Sequence, residues 1–569
     1  MAFGRRNSHA DVYTIDETTG GLQLSHTLQL SSKDFPGSPG PVQLLKWSPD
    51  GCCLALCWTK GAVSLWSTFG ALLLCTLNWD YGAAQHHSLV VRTMDWGIEG
   101  YQLWMISLTG DALTQMELVK SPLTGNPCMS SKERLYLHGQ DRIYINISDT
   151  SPRRTPSSTG VDSCALLSSK QWLIVQAPSA YMAGNWPLRF ATLDAKCENL
   201  AVAGRTGFAL YSFSTRRWKL FGNESQERDF VVAGGLLWLS TKVQPHVVMG
   251  CYNIGADRDE VRLYPRDNAR LDNAFCTVQQ VTGQILLLNL MGDTLLVYTS
   301  DCHISLFETE TSGNGQLQLS RTQEIDVSTL GLHPACLVAA TLTSLSHATE
   351  PQQPHGPSCQ QNILLNVCGR VLLIQRNEGS DDSEEGSAYY SAPTVLASSV
   401  EILWVPNPDR LCPRKPHLTQ ALWLCCGAHG MRVWLPLYPR EGDKGHHAFM
   451  SKRIMLPFQL HIYPLSVLFE EAILIGVETD TLLYPSSGTS ENPWLIPLCV
   501  LERNSQVYLH HIFRQLVNMN YSDQSCDIMF LFFIFDLKDP TQFGVPCLGD
   551  CPWLHRSTLF LPFIGIAIA

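Results

Sequence analysis

The chain has 569 residues, 45% of them apolar and only 16% charged, with a formal net charge of -11 and a pI near 5.9. That acidic balance argues against the basic face that nucleic-acid binding requires, and Lys and Arg never run beyond adjacent pairs. An apolar fraction this high excludes a wholly disordered chain, and the low charge fits a strand-rich one.

The first 30 residues contain VYTIDETTG and GLQLSHTLQL, two strand-like runs that read as completing or closing a blade. Next come VQLLKW, CCLALCW, AVSLW and ALLLCTL, separated by Ser48-Pro49-Asp50-Gly51, Thr59-Lys60-Gly61 and Thr68-Phe69-Gly70. Pro49 pre-sets φ for the second position of a type I turn, Ser48 can bond back to the backbone, and Gly51 tolerates the exit. Apolar runs this short are strands rather than helices, which need about 10 residues. The stretch therefore predicts a four-stranded meander buried on both faces, with Trp47 and Trp66 as packing residues. One meander covers its own faces poorly, so neighbouring copies are expected.

The copies follow in order. VRTMDWGIEGYQLWMISLTGDALTQMEL occupies 91–118, LRFATLDAKCENLAVAGRTGFALYSF 188–213, and GGLLWLSTKVQPHVVMGCYNIGADRDEVRLY 234–264. QILLLNLMGDTLLVYTSDCHISLF (284–307), ILLNVCGRVLLIQ (363–375), ALWLCCGAHGMRVWLPL (421–437) and a last copy at 456–484 continue the rhythm. A period near 50 residues belongs to a β-propeller, whose four-stranded blades cover one another. The expected fold is all-β: a WD40-like β-propeller of about seven four-stranded blades over 31–498, interrupted by polar inserts near 149–163, 347–361 and 377–395.

A short α-helical segment is expected to begin at 499–519. There ERNSQVYLHHIFRQLV (502–517) offers Asn504 or Ser505 as an N-cap and Leu509, Ile512, Phe513 and Leu516 on one face. An atypical hydrophobic tail fills 520–569. Its runs IMFLFFIF (528–535) and STLFLPFIGIAIA (557–569) are too short as helices to cross a hydrocarbon core of about 30 Å.

Chemistry leaves little trace. There is no P-loop, GxSxG, HExxH or kinase set. The acidic run from Asp381 lacks the bidentate Glu of a calcium loop, because Ala392 stands at the twelfth position. Cys547, Cys551 and His555 lack a fourth ligand and the usual zinc spacing. Cys52, Cys53, Cys57, Cys75, Cys368, Cys425 and Cys426 sit in apolar stretches, where a thiol packs as a small hydrophobe, and the chain reads as a reduced protein. No catalytic, cofactor-binding or metal-ligating residue is singled out, and no cofactor is expected.

MAFG, VYTIDETTG, KWSPDG (46–51), LWSTFGA (65–71), NPCMS (126–130), NWPLRF (185–190), RRWKLFGN (216–223), LDNAF (271–275), GMRVWLPLYPR (430–440) and RIMLPFQLHIYPLSVLFE (453–470), with ERNSQVYLHHIFRQLV, resemble the Ric-one family in order. That family is the large WD-repeat subunit of a two-protein guanine-nucleotide exchange factor for the Golgi GTPase Rab six. The resemblance implies a role in retrograde traffic, a Rab six type GTPase and a smaller arrestin-like subunit as partners, and peripheral residence on Golgi membranes. It also implies a further propeller ahead of this segment and a helical solenoid beyond residue 517, so the chain reads as a central segment with a divergent tail. The alternative expectation is a propeller interaction module without exchange activity.

Overall fold

The structure is a computed structural model that describes residues 1–75, 90–146, 172–343, 362–377, 389–405, 421–436, 453–478 and 501–504, apart from short breaks within them. Its strands form six four-stranded and four three-stranded antiparallel sheets, with one two-stranded hairpin besides. In chain order we number them sheet 1 (2–28), sheet 2 (42–75), sheet 3 (91–117), sheet 4 (136–176), sheet 5 (190–219), sheet 6 (230–280), sheet 7 (285–326), sheet 8 (337–397), sheet 9 (402–458) and sheet 10 (462–504).

The continuous apolar runs become middle strands. Val63–Ser67, Asn199–Ala203 and Asn362–Val367 are buried at every position, as a strand covered on both faces must be. Outer strands such as Leu317–Asp326 are largely exposed. The turn at Ser48-Pro49-Asp50-Gly51 forms as its residues dictate. Gly51 N–H donates to the Ser48 carbonyl at 2.9 Å, Cys53 N–H donates to Ser48 Oγ at 3.0 Å, and Gly51 adopts φ 70°. The equivalent turn in sheet 5 uses Asp194, whose Oδ1 accepts from the N–H groups of Glu198 and Asn199 at 2.7 and 3.1 Å.

Seven of the sheets close a ring, and the packing contacts trace it. Tyr136 and Ile143 of sheet 4 meet Leu193 and Val202 of sheet 5. Ala203 and Phe208 then meet Phe230 and Trp238 of sheet 6, and Leu237 meets Leu295 of sheet 7. Leu296 packs on Ile363 of sheet 8, Leu364 on Leu422 of sheet 9, and Trp423 on Leu474 of sheet 10. Sheet 10 returns to the start, with Leu465 and Ile475 against Leu137 and Tyr144 of sheet 4. Polar staples reinforce the joints: Trp238 Nε1 donates to the Thr192 carbonyl at 3.1 Å, and Leu342 N–H donates to Asn289 Oδ1 at 2.8 Å. Each isolated blade would expose both faces, so the ring is the unit that is stable.

Sheets 1 to 3 stand apart as a second unit. Ala10, Val12 and Leu28 of sheet 1 pack on Leu54, Leu56 and Trp58 of sheet 2, and Ala55 and Val63 of sheet 2 on Met94 and Leu103 of sheet 3. Trp66 is 4% exposed, and both its indole N–H and that of Trp58 donate to Ser64 Oγ at 2.8 and 3.0 Å. Those two bonds fill both acceptor sites of a hydroxyl that has no access to water.

The seven blades are thus present, but they span 136–504 instead of 31–498. The meander at 42–75 belongs to the smaller unit, and the strands of 1–30 form a sheet of their own upon it instead of closing the ring. Two further boundaries move. Thr394–Ala397, which overlaps the end of the insert expected near 377–395, is the outer strand of sheet 8, held by burial of Leu396 and Ala397. Leu501–Asn504, at the start of the expected helical segment 499–519, pairs with 474–477 as the outer strand of sheet 10. The copy expected over 456–484 likewise straddles two blades, since Arg453–Phe458 completes sheet 9. The inserts 149–163 and 347–361, the remainder of 499–519 and the tail 520–569 lie outside the described residues. Among the described residues, no helix is long and apolar enough to cross a membrane.

Candidate functional site at the seam between the two units

The Thr68-Phe69-Gly70 turn joins the strands Val63–Ser67 and Leu72–Cys75 of sheet 2, and Gly70 supports it at φ 84°. The turn projects into the ring. The Phe69 ring lies against Gly369 of sheet 8, where any Cβ would collide with it, and the Phe69 backbone lies against Gly427 of sheet 9. Two glycines in unrelated hairpins therefore shape one socket. The Phe69 carbonyl also accepts the Ala428 N–H at 3.1 Å.

Glu401 organises the polar half of the socket. It sits one residue ahead of the inner strand Ile402–Trp404, with its own N–H bonded to the Cys425 carbonyl at 2.8 Å. Its Oε1 accepts from Ser67 Oγ at 2.5 Å and from Phe69 N–H at 2.6 Å, while Oε2 accepts from Tyr463 OH of sheet 10 at 2.8 Å. Burial pushes the Glu401 carboxyl above its usual range, and the bonds from Ser67, Phe69 and Tyr463 pull it partly back. One carboxylate thus links sheets 2, 9 and 10. His26 of sheet 1 completes the rim, with its ring 6.3 Å from that of Phe69. Burial, aided by nearby His429, lowers its pKa.

The other end of the seam is built on Lys120. The connection between the units is hydrogen-bonded on both sides: Leu118 N–H donates to the Tyr101 carbonyl of sheet 3 at 2.8 Å, and Lys120 and His138 of sheet 4 exchange backbone bonds of 2.9 and 2.7 Å. Lys120 Nζ donates to Asp50 Oδ2 at 2.6 Å and to the Glu99 carbonyl, and lies 4.9 Å from the centroid of the Tyr101 ring. Tyr101 donates its hydroxyl proton to the Leu188 carbonyl at 2.8 Å, so its oxygen accepts from His138 Nδ1 at 3.0 Å. His138 is 4% exposed, and burial with Lys120 close by drives its pKa down to about 3. Asp50, Glu99, Lys120, His138 and Arg189 line a small cleft here, in which two acids and two bases balance.

These groups hold surfaces together and offer no reacting pair. Among the described residues, no three His, Cys, Asp or Glu side chains converge as metal ligands, and Cys547, Cys551, His555 and the run from Asp381 lie outside them. Of the cysteines placed in apolar stretches, Cys57, Cys75, Cys425 and Cys426 are buried and Cys52 and Cys53 half-buried. Cys368 is exposed in a hairpin turn, because the strand before it ends at Val367. Sequence reasoning found the Phe69 turn as a turn and missed its partner. A lone acid within SSVEILWV was the available signal for Glu401.

Comparison with known proteins follows this division. The model of the RIC1 second beta propeller domain matches residues 134–504, the span of the ring. The guanine nucleotide exchange factor subunit RIC1 of Homo sapiens is 39% identical over 591 residues, covering 92% of this chain and 41% of that protein. The Caenorhabditis elegans guanine nucleotide exchange factor subunit R06F6.8 is 28% identical over 584 residues, covering 91% of this chain and 38% of its own length. The chain therefore spans about two-fifths of the curated relatives it matches. The solved Cps50 (Swd1) β-propeller domain of Myceliophteria thermophila aligns at a TM-score of 0.30 and 11% identity, over 69% of this chain and 96% of that one.

Proposed function

The chain belongs to the family of RIC1 second beta-propeller domains, and from that premise we propose that it is the propeller scaffold of a guanine-nucleotide exchange factor complex. The GTPase it serves is of the Rab six type, its partner is a smaller arrestin-like subunit, and its place of work is the cytoplasmic surface of Golgi membranes in retrograde traffic. The observation that carries this reading is the coincidence of the matched span, 134–504, with the closed ring.

The chemistry required agrees with the site. An exchange factor binds the nucleotide-free GTPase more tightly than the loaded form, and by linkage weakens the nucleotide by the same factor. It needs a rigid, extended surface, with about 1,200 Å² or more buried in total for a stable complex, and no acid, base or nucleophile. A ring locked to a second unit of three sheets by Glu401 and Lys120 is such a surface.

The test is release of a fluorescent nucleotide from the GTPase, with the chain alone, with the smaller subunit alone and with both. Acceleration by the pair beyond either component supports exchange. A second reading, an interaction module without exchange activity, is favoured by the seam itself, where Glu401 and Lys120 make their bonds to partners within the chain. It predicts capture of the smaller subunit without faster release. Capture of neither partner by chain shown to be folded by circular dichroism overturns both.

A further inference from the structure

The strands Leu337–Thr343 and Asn362–Val367 of sheet 8 pair antiparallel, with Leu337 opposite Val367 at the end of the ladder. One step further out, Cys336 ends the 3-10 turn Pro334–Cys336, and Cys368 N–H donates to its carbonyl at 2.9 Å. A backbone bond of that length brings the two residues within reach of the range of about 4.4–6.8 Å between Cα atoms that a disulfide spans. The Cys368 thiol is turned toward its neighbour, with Sγ 3.5 Å from the Cys336 carbonyl oxygen.

Position makes the pair more unusual. Cys368 and Gly369 are the two central residues of a hairpin closed by Val367 and Arg370, with φ values of 46° and 88°. Both angles lie in the left-handed region, as a type I′ turn requires, and Asn, Asp or Gly is the unstrained choice at the first of them. A cysteine there is strained and exposed, while Cys336 is half-buried beneath it. Cys302 of sheet 7 stands close by, its Sγ 4.0 Å from Tyr298 OH, which in turn bonds the Pro334 carbonyl at 3.2 Å.

We propose that Cys336 and Cys368 form a reversible, peroxide-driven disulfide that staples the hairpin holding Phe69. The Cys368 thiolate attacks one oxygen of hydrogen peroxide, giving a sulfenic acid and releasing hydroxide, which leaves as water. The Cys336 thiol then attacks the sulfenic sulfur, the S–S bond forms and a second water leaves. Two thiols and one peroxide become a disulfide and two waters, and a dithiol reverses the change. Because Gly369 is the floor beneath the Phe69 ring, the staple fixes the socket that joins the two units.

The test uses the full chain, treated with hydrogen peroxide, alkylated and digested without reductant for mass spectrometry. A peptide pair linking Cys336 to Cys368 is expected in the wild type and in Cys302→Ser, absent in Cys368→Ser, and lost on adding dithiothreitol. Thermolysin cleavage should also slow at least twofold in the oxidised wild type and not in Cys368→Ser. Absence of the linked pair in folded protein overturns the proposal, as does a link from Cys336 to Cys302 in its place.

Discussion

Phe69 N–H and Glu401 Oε1 are 2.6 Å apart, although 332 residues separate them in the chain. The same oxygen accepts from Ser67 Oγ, so truncating Glu401 strands two donors of one turn at once. Glu401→Ala is expected to destabilise the seam by about 2–4 kcal/mol, and Glu401→Gln, which keeps an acceptor, by about half as much. Urea unfolding of both variants, with Ser67→Ala as the second arm of a double-mutant cycle, checks this. Strictly additive losses would show that the bond contributes nothing.

Gly369 gives a sharper test. Alanine there adds left-handed strain of about 1–2 kcal/mol and a collision with the Phe69 ring. Gly369→Ala should therefore cost more in the wild type than in Phe69→Ala, where only the strain remains. Calorimetry on the two single variants and the double variant reads the difference directly.

At the other end, Lys120→Met leaves Asp50 without its cation, and a loss of about 2–4 kcal/mol is expected. Adding Asp50→Asn should recover part of it. If the double variant is less stable than Lys120→Met alone, Asp50 has a different role.

His138 sets a pH dependence. Its folded-state pKa, about 3, lies below the ordinary 6.5, so the unfolded chain takes up the proton first. Stability present above pH 6.5 is then lost as pH falls toward 3, by up to about 1.4 kcal/mol per pH unit. Urea midpoints measured between pH 7 and 4.5 should fall less steeply in His138→Gln than in the wild type, and identical slopes would refute the assignment.

The blades were legible because Ser48-Pro49-Asp50-Gly51 and its relatives punctuate runs of Val, Leu and Trp, a local signal. Their division into a ring and a second unit was not, because both use the same strand chemistry and only long-range packing, such as Leu465 on Leu137, tells them apart. Sheet 4 escaped notice since residues 147–171 separate Arg142–Asn146 from Trp172–Gln176 and break its rhythm. Leu501–Asn504 falls within the helical segment expected over 499–519 although the apolar periodicity begins only at Leu509, and its pairing with 474–477 makes it a strand. Glu401 was illegible for a simpler reason. Its partners lie at positions 67, 69 and 463, and no window of sequence contains them together.

The passage from Leu118 to Lys120 is bonded to sheet 3 at one end and to sheet 4 at the other, leaving no slack between the two units. Such a joint transmits torque. A load applied to the first unit turns the ring with it, so the orientation of one unit dictates the aim of the other. Any surface the ring presents is therefore steered from outside the ring.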